Sequence, residues 1–190
     1  MRRQTLALLG LLMTVSCGRS VSSVRDTEHA VLRALLDSSY GNDSLRGVLV
    51  RERFASFALN AKWERWLADS VPELPRAAVE DFKRVGTDSS AIPPMSVGRG
   101  RLEIVPESAL QNIFRPGPGA DGWVMLRARY PDAGTGLISL TRVGLSPDER
   151  WAITYIDSQA DWLAGSGYLV VLHQDKGVWR PVKRATLRIS

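Results

Sequence analysis

Residues 151–189 read WAITYIDSQADWLAGSGYLVVLHQDKGVWRPVKRATLRI, three apolar runs separated by short polar breaks. In the first run Trp151, Ile153 and Tyr155 recur at every second position, the period of a strand with one face turned to a core. The second, GYLVVLHQ (167–174), is apolar on both faces until near its end, which suits a central strand. Between it and the third run, Asp175-Lys176-Gly177 supplies the positive-φ residue that a short hairpin loop needs. Pro181 cannot donate to a ladder, so the last strand, 178–189, belongs at an edge or carries a bulge. The C-terminal quarter is therefore predicted as an antiparallel meander.

Working upstream, a strand is predicted over 137–145, followed by a type I turn at Ser146-Pro147-Asp148-Glu149. Segments 101–105 and 123–130 read as strands flanking the Gly- and Pro-rich loop RPGPGADG (115–122), and 45–54 as a further strand. Helical spacing appears in three places. Val31, Leu32, Leu35 and Leu36 share one face of 26–40, with Asp26 or Thr27 as cap and Gly41 as stop. Trp63, Trp66 and Leu67 mark 61–68, and PRAAVEDFKRV (75–85) runs to Gly86, the two pieces being separated by the Val71-Pro72 break. GTDSSAIPPMSVGRG (86–100) is loop. With no internal repeat and no shift in composition, the economical architecture is one α+β domain over 26–190, its N-terminal helices packed on an antiparallel sheet that ends in the meander.

The N-terminus has a different character. Arg2 and Arg3 precede an uncharged, Leu-rich run from Leu6 to Val15, then the small Ser16 and the single cysteine of the chain, Cys17. This is the basic, apolar and small-residue sequence of a signal peptide; a spanning helix would need about 20 apolar residues. Thr14-Val15-Ser16-Cys17 matches a bacterial lipobox, although Thr14 stands where the familiar form has Leu. The alternative is an ordinary signal peptide with an incidental cysteine. The expected layout is a signal peptide over 1–16, Cys17 acylated with a chain such as palmitate, and a small polar tether over 17–25. Because Gly18 replaces the Asp of inner-membrane retention, the expected location is the periplasmic face of the outer membrane, or else a soluble periplasmic or secreted state. Twin-arginine export fits Arg2-Arg3 less well than a plain basic n-region.

The formal charge of the whole chain is +5. Its arginines are scattered, with no basic stripe of the kind that nucleic-acid binding uses, so no nucleic-acid partner is expected.

GLISLTRVGLSPDERWAITYID (136–157), followed by 165–190, resembles the C-terminal half of a group of uncharacterised bacterial exported proteins and lipoproteins. The matching residues are Thr141-Arg142-Val143-Gly144, Gly165, Gly167, Trp179 and Ile189-Ser190. Members often carry a cysteine pair in the Gly-rich loop; here Ser158–Ala164 contains none, so no redox or metal role carries over. The resemblance implies export and the meander and transfers no functional residue.

Candidate chemistry is sparse. His29 is expected to be a solvated helix residue and His173 a surface residue at a hairpin end, and metal-ligand spacing is missing, so no metal or other cofactor is expected. Gly165-Ser166-Gly167 leads from loop to strand, whereas a hydrolase elbow leads from strand to helix. Asp157 and Asp161 are the carboxylates that an envelope hydrolase would use, if they converged within roughly 5–10 Å. Of six tryptophans, Trp63, Trp66, Trp123, Trp151 and Trp179 fall in helix or strand patterns and are expected in the core. Trp162 lies in a polar loop and is the candidate ligand-binding residue, since an indole offers a large rigid face and one N–H. The expected function is a membrane-anchored, non-enzymatic binding or structural module of the envelope, with an envelope protein or glycan as partner. The alternatives are a carboxylate hydrolase and a glycan-binding module built on Trp162.

Overall fold

The computed structural model describes residues 21–41, 47–95, 102–115 and 121–190. The expected signal peptide, Cys17 and the first residues of the tether lie outside these. Within them, five helices and seven strands follow the chain as α1 (Val21–Tyr40), β1 (Gly47–Arg51), α2 (Ala61–Ser70), α3 (Arg76–Val85), β2 (Leu102–Val105), α4 (Glu107–Ile113), α5 (Gly122–Arg129), β3 (Ala133–Leu140), β4 (Gly144–Leu145), β5 (Trp151–Asp161), β6 (Ala164–Asp175) and β7 (Val178–Ile189). Helix α1 starts inside the expected tether, at Val21. None of the described helices is long and apolar enough to cross a membrane.

The strands form one sheet in the order β2-β1-β3-β5-β6-β7, with β4 paired to β5. The α+β class and the terminal meander are as expected; the sheet itself is mixed. From β3 to β7 it is antiparallel, whereas β1 runs parallel to both β2 and β3. Parallel pairing follows from the connections: α2 and α3 lie between β1 and β2, and α4 and α5 between β2 and β3, so each crossover returns the chain to the end where it began.

Strand alternation divides the core in two. Val48, Val50, Ile138, Leu140, Ala152, Ile156, Val170 and Leu172 point to one face and bury Val31, Leu32, Leu35 and Leu36 of α1. The residues between them point to the other face, where two separate clusters form. Ile153, Leu169 and Val171 pack under Leu67 of α2 and Phe82 of α3. Leu49, Val105 and Leu137 pack under Leu110 and Ile113 of α4 and Trp123 and Leu126 of α5. The two-sided apolar run of β6 is thus covered on both sides.

Segment 123–130, expected as a strand, is helix α5. Its alternation is misleading because the local cap decides: the Asp121 carboxylate accepts from the Trp123 backbone N–H at 2.8 Å, and Arg127 and Arg129 in the last turn complement the helix dipole. Trp123 and Leu126 then face the core at helical spacing, while Val124 and Met125 are exposed. Helix α4, starting after Pro106, was not expected. The expected loop 158–164 is also reduced: Asp161 pairs with Ala164 across a two-residue turn, with a bulge between Gln159 and Asp161. At the next hairpin both Lys176 (φ 49°) and Gly177 (φ 79°) take positive φ, the twist-compatible two-residue turn. Pro181 lies on the edge strand β7 beside a register shift.

Two contacts lock helices to the sheet. Glu28 of α1 is buried; it accepts from Arg142 Nε at 2.8 Å and from the Val143 backbone N–H at 3.0 Å. Arg142 also reaches Asp88 at 2.9 Å. Gly144 lies against the backbone of Phe82, leaving no room for a Cβ.

Glu28→Ala leaves the buried Val143 N–H without its acceptor and the Arg142 guanidinium with Asp88 alone, and is expected to lower unfolding free energy by about 3 kcal/mol, with Glu28→Gln costing less because it keeps an acceptor. Gly144→Ala should cost about 1–3 kcal/mol by pushing α3 off the sheet. Urea unfolding of the three variants measures both effects.

Candidate functional site

The two clusters on the second sheet face leave a strip uncovered between the α2–α3 pair and the α4–α5 pair. The strip is polar. Ser139 on β3 is opposite Asp157 on β5, Asp157 is opposite Gly167 on β6, and Gly167 is opposite Arg188 on β7. Val50 is level with Ile138, so Arg51, one residue on in a parallel strand, is level with Ser139. One row farther, Leu137 is opposite Gln159, and Gln159 opposite Gly165. On that face of β6, Gly165 and Gly167 leave the space that the Arg188 guanidinium and the Tyr155 hydroxyl occupy.

A groove of about 390 Å3 opens over this strip, within the range of small-molecule sites, roughly 300–1,000 Å3. Arg51, Ser139, Asp157 and Gln159 form its floor, Glu107, Leu110, Gln111 and Phe114 of the α4 region one wall, and Trp123 and Trp162 its aromatic end.

Its charges are paired within the protein. Arg51 forms a two-pronged contact with Glu107, Nε to Oε1 at 3.0 Å and Nη2 to Oε2 at 2.9 Å, the planar fork that suits a carboxylate. Arg188 holds Asp157 through Nε at 3.2 Å and through Nη2 at 2.9 and 3.1 Å to its two oxygens. The Tyr155 hydroxyl donates to Asp157 Oδ1 at 3.2 Å, and its ring stacks on Phe57 with centroids 4.7 Å apart. That hydroxyl occupies the space a Cβ at position 167 would fill, so the pattern match at Gly167 has a local cause. Burial pushes the Tyr155 phenol up to about 12; the Asp157 charge acts the same way and Arg188 opposes it.

Trp162 sits at the tip of the β5–β6 hairpin and is 59% exposed, beside the more exposed Leu163. Its indole is nevertheless anchored. Nε1 donates to Asp121 Oδ1 at 3.3 Å, the same oxygen that caps α5. Phe114 and Trp123 contact it nearly at right angles, with centroids 6.2 and 6.3 Å away, and contact each other at 4.9 Å. Arg127 of α5 fastens the same hairpin through the Ala160 carbonyl and Asp161, each at 3.3 Å. Trp123 is buried, and its Nε1 has no partner among the described residues.

The other sequence candidates do not join this site. Asp161 is paired to Arg127 on the hairpin, and four residues of strand put it roughly 13 Å from Asp157 at about 3.3 Å per residue. His173 packs against Trp151 at a tilt of 46°, with centroids 4.4 Å apart. His29 departs from the solvated expectation: it lies beside Pro94 and Met95, and its Nε2 is buried without a partner among the described residues. Trp63, Trp66, Trp123, Trp151 and Trp179 all pack in or against the clusters.

Sequence reasoning reached Trp162 and Asp157 but missed Arg51, Glu107, Gln111 and Phe114 as neighbours, since α4 and α5 were not recognised. Asp121 before Gly122-Trp123 was the available sign of a capped helix. Gly165 and Gly167, two apart in a strand, were the sign of a face that something approaches closely. Compared with protein-family models, curated proteins and solved structures, the chain matches none.

The Tyr155 phenol carries a pH prediction. Its folded-state value lies above the ordinary value of about 10, so the stability it contributes is complete below about pH 10 and is lost as pH climbs from there towards about 12. Urea midpoints measured from pH 8 to 11.5 should fall less steeply for Tyr155→Phe than for the native chain; identical slopes would contradict the assignment.

Proposed function

We propose that this chain is an exported lipoprotein, anchored through an acyl chain on Cys17 at the outer membrane, whose domain is a non-enzymatic binding module of the cell envelope. The ligand is held in the groove beside Trp162. The observation that carries this reading is the state of Trp162, a large aromatic surface left in solvent while its N–H and its neighbours hold it in one place. Fixing a binding group in advance removes part of the entropy cost of association.

Two further observations support the reading. The groove carboxylates Glu107 and Asp157 are each gripped by an arginine, an arrangement suited to shape and hydrogen bonding rather than proton transfer. And α1 as described runs from Val21, four residues after Cys17, so the chain between the two spans at most about 14 Å. The groove would then work close to a membrane surface.

In a bacterial host, labelled palmitate is expected to enter the native protein and not Cys17→Ser, with the native protein in the membrane fraction and the variant in the soluble exported fraction. Unlabelled native protein released from the membrane would contradict the anchor.

A further inference from the structure

We infer that the groove takes a glycan with a neutral pyranose ring, the ring lying on the exposed indole of Trp162 and its hydroxyls reaching the polar floor. This rests on the groove being the binding site, and it names the chemistry of the occupant.

The floor selects against ions. A site for phosphate or carboxylate needs uncompensated positive charge, yet Arg51 is forked onto Glu107 and Arg188 onto Asp157. A cation site needs free carboxylates, and those same two are engaged. What stays unspent is neutral hydrogen-bonding capacity. The side chains of Gln111 and Ser139 make no hydrogen bond to a described residue, and that of Gln159 makes one long contact, Nε2 to the Asp161 carbonyl at 3.4 Å. Amides and hydroxyls both donate and accept, which matches a sugar hydroxyl, itself donor and acceptor. The paired carboxylates keep acceptor lone pairs for further hydroxyl donors.

The aromatic end selects for a flat apolar face. Trp162 presents a rigid indole beside Phe114 and the buried Trp123, and the C–H face of a pyranose is the apolar half of an otherwise polar ligand. The Arg188 guanidinium and the Tyr155 hydroxyl fill the space above Gly165 and Gly167, so a ring in the groove meets the side chains of Ser139, Asp157 and Gln159. One end stacking, one end hydrogen-bonding and no net charge describe a neutral sugar more closely than a peptide, nucleotide or lipid headgroup.

The test is calorimetric titration of the full-length lipoprotein, in a detergent without sugar groups, against the N-acetylglucosamine tetramer, cellotetraose and maltotetraose. Co-sedimentation with purified peptidoglycan sacculi separates a polymeric wall source from a free oligosaccharide. Saturable binding in either arm is expected, weakened about tenfold or more by Trp162→Ala and less by Trp162→Phe. Gln159→Ala should also weaken it, with unfolding midpoints unchanged, and inorganic phosphate should not compete. Absence of binding in both arms, or binding that Trp162→Ala leaves intact, overturns the inference. A parallel ligand-observed NMR screen of non-sugar fragments locates the failure. Fragments that bind in a Trp162-dependent way while sugars do not would refute the ligand class and leave the groove standing; no Trp162-dependent binding of any kind would refute both.

Discussion

The structure depends on a sheet whose middle strands must be buried on both faces. Strand β6 places Val170 and Leu172 on one side and Leu169 and Val171 on the other, all fully buried, so leaving either side open would expose a continuous apolar surface. Helix α1 covers one side together with Phe54 and Ile92 from the segments after β1 and α3. The other side is covered by two helix pairs drawn from the two parallel crossovers, and those pairs bury two separate clusters. Where they part, the apolar pattern also ends: β5 changes from Ile153 to Asp157 and Gln159, and β6 from Leu169 to Gly167 and Gly165. The groove is the part of a two-sided sheet that none of the described helices covers, and the strands carry polar residues or glycine at the same rows.

An open polar strip on a sheet would ordinarily be filled by water and mobile side chains. Here most of its charged members are immobilised. The Arg51–Glu107 fork ties β1 to the start of α4, and Glu52 accepts the Glu107 backbone N–H at 3.0 Å. The Asp157–Arg188 pair, with the Tyr155 hydroxyl, spans three strands over the bare backbone of Gly167. At the aromatic end Asp121 serves two purposes with one oxygen, capping α5 and holding the Trp162 indole. A single carboxylate therefore couples the folding of a short helix to the posture of the hairpin tip, and Arg127 from the same helix fastens the hairpin a second time.

Much of the fold was legible because period and punctuation agreed. The apolar spacing of α1, the Pro75 and Gly86 limits of α3 and the hairpins of the meander correspond to observed elements. The parallel half was not legible: parallel and antiparallel strands differ in how the chain returns, and the return runs through helices α4 and α5 that look like strand or loop locally. WVMLRARY has the composition of a strand, and the Asp121 cap, the packing of Gly122 on Phe114 and the burial of Trp123 and Leu126 on one face make it a helix. Of the site, Trp162 stood out because it broke its polar surroundings. Its partners did not, since Arg51, Glu107 and Phe114 come together through tertiary contacts that no local pattern encodes.

The central claim is that Trp162 is an exposed face on a packed aromatic wall. Brief oxidation of the full-length protein with N-bromosuccinimide, followed by peptide mass mapping, reads the accessibility of each tryptophan separately. Trp162 is expected to react first, with Trp123 and Trp179 protected until the protein unfolds. Protection of Trp162 equal to that of Trp179, or reaction of Trp123 as fast as Trp162, would contradict it.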